Sequence, residues 1–139
     1  MLQTTQAFLE AEAYPGPSLI IAYSHCIAHG YDMAQGAKQQ KLAVDSGVWP
    51  LYRFDPQRIT KGEPPLHLDY GPPKAKVAEY MLNETRFRMI ERADPARFKG
   101  FLEESQAAAQ RRYAVYQQLA GVKVPVIKAE GDEPSEPQA

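Results

Sequence analysis

The chain has 139 residues, a formal net charge of −1, 44% hydrophobic residues and a single cysteine. It is the size of one domain, long enough to bury a core, and its near-neutral balance excludes electrostatic capture of nucleic acid or of an anionic membrane. A lone cysteine forms no internal disulfide, which fits a reducing cytoplasm. No run has the roughly 18 apolar residues of a membrane span, and the N-terminus has no signal-peptide pattern.

Thr4 to about Ala13 reads as a helix with Leu2, Phe8 and Leu9 on its apolar face and Glu10 and Glu12 on the other. No strand precedes it, so the chain looks cut from the middle of a strand–helix unit. The turn Tyr14–Pro17 ends the helix, because proline and glycine do not continue its ladder. Ser18–Tyr23 is a short continuous apolar run, which predicts a strand buried on both faces in a helix-covered parallel sheet. Ser24–Tyr31 is then a loop at the strand's C-terminal end, the edge where ligands collect in open α/β sheets.

Asp32 caps a helix from Met33 to about Ser46, which Gly47 and Pro50 stop. Val48–Asp55 predicts a second, half-buried edge strand. The Pro- and Gly-rich stretch Pro56–Pro73 predicts an excursion over the surface, with Leu66 and Leu68 docked as a short strand. Val77 to about Arg92 reads as one helix. Asp94 and Pro95 start another, as N-cap and first helical residue, and Gly121 closes it. Phe98, Leu102, Ser105, Ala109, Arg112, Tyr116 and Leu119 follow the helical period, so one stripe packs inward. Residues 125–139, rich in Pro, Glu and Asp, predict a disordered tail after a domain covering residues 1–124. The fold class is thus α/β, a partial parallel sheet with covering helices.

The residues with most chemistry are His25, Cys26 and His29. Taken alone they leave several readings open. The cysteine can be a small buried hydrophobe flanked by hydrogen-bonded histidines. The three side chains can form a zinc site, although structural zinc wants four ligands and usually more than one cysteine. A histidine can lower the thiol pKa and make it reactive. Cys26 can also be one thiolate of an iron–sulfur cluster whose other ligands lie outside the chain. Trp49, Tyr52 and Phe54 read as packing, and Arg86, Arg88, Arg92 and Arg97 as a solvated face or a dimer contact.

Four strings decide among these: PGPSLIIAYSHCIAHG (Pro15–Gly30), QQKLAV (Gln39–Val44), SGVWPLYRFDP (Ser46–Pro56) and EYMLNETRFRM (Glu79–Met89). In this order they resemble the C-terminal part of the thiamine-diphosphate-binding domain of pyruvate:ferredoxin (flavodoxin) oxidoreductases, and the resemblance covers Thr4–Leu119. It implies a thiamine-diphosphate-binding fold of which this chain is a C-terminal fragment. It also implies a homodimeric enzyme that oxidises pyruvate with coenzyme A to acetyl-CoA and carbon dioxide, passing electrons through [4Fe–4S] clusters to ferredoxin or flavodoxin. Cys26 then matches the distant fourth ligand of the cluster nearest the thiamine, with Ser24, His25 and Ile27 around the sulfurs. The Cys-x-x-Cys pair, the third cysteine and the Gly-Asp-Gly…Asn pattern for magnesium and thiamine diphosphate are missing. The isolated chain is therefore expected to be inactive, its partners being the rest of the enzyme and a dimer mate. The rival readings are a stand-alone, non-enzymatic interaction module and a small zinc protein using His25, Cys26 and His29.

Overall fold

The computed structural model describes residues 2–126. Residues 127–139, most of the expected tail, lie outside the described residues. The helices are α1 (Leu2–Ala13), α2 (Gly36–Asp45), α3 (Val77–Leu82), α4 (Thr85–Ala93) and α5 (Pro95–Leu119), with strands β1 (Tyr52–Phe54) and β2 (Leu66–Leu68). Three 3₁₀ segments, Ile27–His29, Met33–Gln35 and Pro56–Lys61, fill the connections. The protein is α/β with helices dominant.

The sheet differs from the expectation. It has two strands, and they are antiparallel, with Tyr52 opposite Leu68, Arg53 opposite His67 and Phe54 opposite Leu66. No parallel sheet forms among the described residues. Ser18–Tyr23 is not a strand: it lies outside every helix and strand, and among the described residues no backbone–backbone hydrogen bond involves residues 15–25. Its aliphatic side chains face solvent, Leu19 83% and Ile21 67% exposed, and only Tyr23 at its end packs against the core. An apolar run becomes a buried strand only when neighbouring strands and covering helices meet it, and the described chain supplies neither.

The core lies where α2, α3 and α5 meet. Ala43, Val77, Tyr80, Met81, Phe98 and Ala109 are buried together, with Tyr23, Leu42, Val48, Trp49, Phe87 and Leu102 packed against them. Asp94 caps α5 by accepting from the Arg97 N–H at 2.9 Å, and Pro95 takes the first helical position. The inward stripe of α5 holds through Phe98, Leu102 and Ala109. Arg112 reaches back to donate to the Gly47 and Val48 carbonyls at 2.8 and 3.0 Å. Tyr52 stacks on Tyr116 with ring centroids 4.9 Å apart.

The expected helix from Val77 to Arg92 is two helices. Glu84 breaks it with an extended backbone (φ −106°, ψ 128°) and serves as the N-cap residue of α4. Its carboxylate is drawn inward to polar partners, which an unbroken helix would not allow.

Helix α1 buries no residue of its own. Polar ties hold it to the β1–β2 pair. The Arg53 guanidinium donates to Asp69 Oδ1 from Nε at 2.9 Å and from Nη2 at 2.8 Å, and its Nη1 donates to Glu10. Gln3 Nε2 donates to Asp69 Oδ2 at 2.9 Å. Burial pushes the Asp69 carboxyl up, but the hydrogen bonds from Arg53 and Gln3 outweigh it and hold the group below the usual carboxylate range. Asp69 thus binds a proton more weakly in the folded chain than in the unfolded one. Its bonds to Arg53 and Gln3 favour the fold above the unfolded pKa, and that stability is lost as pH falls through the lowered one. The Asp69 carboxyl, followed by NMR, is expected to titrate below about 3.9, with the Gln3 side-chain amide shifting in step. A midpoint at or above that value overturns the tether.

Candidate functional site

The candidate site is the turn that carries Cys26. Tyr23 anchors the chain before it: its hydroxyl pairs with the Tyr80 hydroxyl at 2.7 Å, and its ring lies 5.4 Å from that of Trp49. Cys26 follows in extended conformation (φ −131°, ψ 136°), with a free, exposed thiol. Ile27–His29 then closes a 3₁₀ turn, the His29 N–H donating to the Cys26 carbonyl at 3.0 Å and the Gly30 N–H to the Ile27 carbonyl at 3.1 Å. The N–H groups of Ile27 and Ala28 meet no acceptor among the described residues.

Gly30 locks the turn to the rest of the fold. Its φ of +69° is left-handed, which glycine adopts without cost. Its carbonyl accepts from the Thr85 N–H at 2.7 Å. A Cβ at position 30 would lie 2.7 Å from Thr85 Cβ. After the turn, Asp32 accepts from the Ala34 N–H at 3.0 Å. It caps a 3₁₀ segment rather than the expected helix start, and α2 proper begins at Gly36.

The two histidines do not converge on the thiol's ligand space. The His25 ring meets the Tyr31 ring edge-on, centroids 5.7 Å apart, and closes against Gly36. His29 Nδ1 lies 3.7 Å from Glu84 Oε1, beyond hydrogen-bond reach. No group of three or more His, Cys, Asp or Glu among the described residues is arranged to hold a metal ion. The three-residue zinc site is therefore not assembled. The Nδ1 atoms of His25 and His29 and the Tyr31 hydroxyl are buried without a hydrogen-bond partner. Burial, then the charges of Glu84, Tyr23 and Cys26, push the Tyr31 phenol above its usual range.

Behind the turn stands a polar knot that sequence reasoning missed. Glu84 is wholly buried. Its Oε2 accepts from Arg86 Nε at 2.5 Å and its Oε1 from Gln39 Nε2 at 3.0 Å. Gln39 Nε2 also donates to the Tyr80 carbonyl at 3.1 Å, and Asn83 Nδ2 donates to Gln39 Oε1 at 3.0 Å. Arg86 packs its guanidinium over the Phe87 ring at 4.4 Å and is thus no simple solvated side chain. The available signal was a Glu-x-Arg pair inside an apolar helical pattern, which reads equally well as an exposed ion pair.

No protein-family model matches the chain. Individual proteins do. A pyruvate-flavodoxin oxidoreductase of Rhodospirillum rubrum is 54% identical over 120 residues, covering 86% of this chain and 10% of that protein. Its counterpart in Nostoc is 50% identical over 118 residues, covering 85% of this chain and 10% of that protein. A pyruvate:ferredoxin oxidoreductase of Moorella thermoacetica is 39% identical over 118 residues, with 85% and 10% covered. The chain spans about a tenth of the length of these curated relatives. With relatives 54% and 50% identical over 86% and 85% of its length, the chain belongs to the pyruvate-flavodoxin oxidoreductase family.

Proposed function

We propose that the chain is the C-terminal part of the thiamine-diphosphate-binding domain of a cytoplasmic pyruvate:ferredoxin (flavodoxin) oxidoreductase, residues 1–124 forming the domain segment. Its specific task is to donate the Cys26 thiolate to the [4Fe–4S] cluster nearest the thiamine. The observation that carries this is the free, exposed thiol on a turn whose Ile27 and Ala28 N–H groups have no acceptor among the described residues. Such donors suit cluster sulfurs, whose hydrogen bonds set the reduction potential. When bound, the cluster takes up and releases one electron at a time. This chain's part is to present a soft ligand in a fixed direction and to surround it with Ser24, His25 and Ile27. One thiolate does not hold a cubane, so the other donors come from polypeptide outside this segment. Thiamine diphosphate and magnesium find no matching residues here, and no step is assigned to them.

The run Ser18–Tyr23 supports the same reading. An exposed apolar run whose backbone has no backbone partner among the described residues suits a strand whose sheet is completed by the rest of the longer enzyme. The remaining partners follow from that enzyme: a dimer mate, and ferredoxin or flavodoxin as electron acceptor. The stand-alone module and the zinc protein are less well supported, since identity to the oxidoreductases covers most of the chain and His25 and His29 engage other partners.

The test is assembly with the remainder of a relative's chain. Cys26→Ser is expected to remove one cubane's worth of iron, its paramagnetic signal and pyruvate-dependent dye reduction. Full iron and full turnover in that variant overturn the assignment.

A further inference from the structure

A fully buried carboxylate demands compensation, and Glu84 receives it from Arg86 and Gln39, with His29 3.7 Å away. Through its hydrogen bonds it joins α2 and α4. Gln39 extends the join to α3 through the Tyr80 carbonyl and Asn83. The backbone beside Glu84 grips the turn. The Glu84 carbonyl accepts from the Phe87 N–H at 3.1 Å, starting α4, and this start aims the Thr85 N–H at the Gly30 carbonyl at 2.7 Å. The Cys26 thiol is free and exposed.

We infer that Glu84 is a positioning residue for Cys26: its buried carboxylate, tied to Gln39 and Arg86, holds the helix start whose Thr85 N–H bonds the Gly30 carbonyl of the 26–30 turn. This rests on the reading of Cys26 as a cluster ligand, since a thiol with no ligand role needs no fixed direction. Glu84 itself ligates nothing. It fixes where the sulfur stands when the rest of the enzyme presents the cluster.

Two variants test the link. Glu84→Gln keeps the shape and removes the charge. Thr85→Pro removes the N–H that bonds Gly30, together with an exposed hydroxyl that accepts from Arg88: proline is well suited to the first helical position, and residue 84 already has the extended backbone that precedes proline. The readout is amide hydrogen exchange at His29 and Gly30 in the full chain, with α5 amides around Phe98–Ala109 as reference. Each variant is expected to speed exchange at the two turn amides about tenfold while α5 keeps its protection. Unchanged turn amides in either variant, or a rise matched throughout α5, overturn the inference. In the assembled enzyme Glu84→Gln is expected to retain iron but shift the cluster's paramagnetic line shape. An unshifted line with full iron also overturns it. Loss of the parent reading shows differently, as full iron in Cys26→Ser.

Discussion

Replacing Phe98 by alanine is expected to remove most of the stability of this chain. Phe98 is 2% exposed and stands at the start of α5, where it meets α3 in the small core formed with Ala43, Val77, Tyr80, Met81 and Ala109. Deleting a buried phenylalanine ring costs about 3–5 kcal/mol, the lost transfer energy plus the cavity left behind. Domains of this size have a total of about 5–15 kcal/mol, and a core this small stands at the low end. A urea titration is expected to show the midpoint falling toward zero denaturant. Phe101→Ala is the contrast: that ring is 37% exposed, and its loss is expected to cost under about 1.5 kcal/mol. Equal losses for the two would place the core elsewhere.

Gly30→Ala is expected to pull the cysteine turn away from α4. Two costs add. A left-handed φ of +69° costs a residue with a Cβ about 1–2 kcal/mol. The new methyl would also sit 2.7 Å from Thr85 Cβ and 3.0 Å from its Oγ1. Thr85 is the first residue of a helix and does not yield easily, so the turn moves and the Thr85–Gly30 hydrogen bond breaks, roughly another 1 kcal/mol. The clash and the strain are separable. Thr85→Gly in the same chain is expected to recover the clash and the hydrogen bond but leave the dihedral cost, so stability returns only in part. Complete recovery would mean that the backbone at position 30 carries no strain.

Local signals were legible wherever the information lay within a few residues. Asp94-Pro95 announced α5, and Leu66 and Leu68 announced β2, because capping and short-range alternation depend on near neighbours. The strand expected at Val48–Asp55 shrank to Tyr52–Phe54, since β2 offers only three residues to pair with. Phe54 proved 61% exposed rather than packed. Ser18–Tyr23 misled for a different reason: its composition describes the environment a strand needs, and that environment lies outside the described chain. At the site, Cys26 was visible because it is chemically singular. Glu84 was hidden because burial of a carboxylate depends on Gln39 and His29, which are far from it in sequence and join it only after folding.

The bare run at residues 18–23 has a consequence for the chain's life in a cell. A run of exposed apolar side chains with open amide groups is what chaperones and proteases recognise, and what seeds aggregates when they do not intervene. Whatever leaves this run uncovered therefore exposes the polypeptide to clearance.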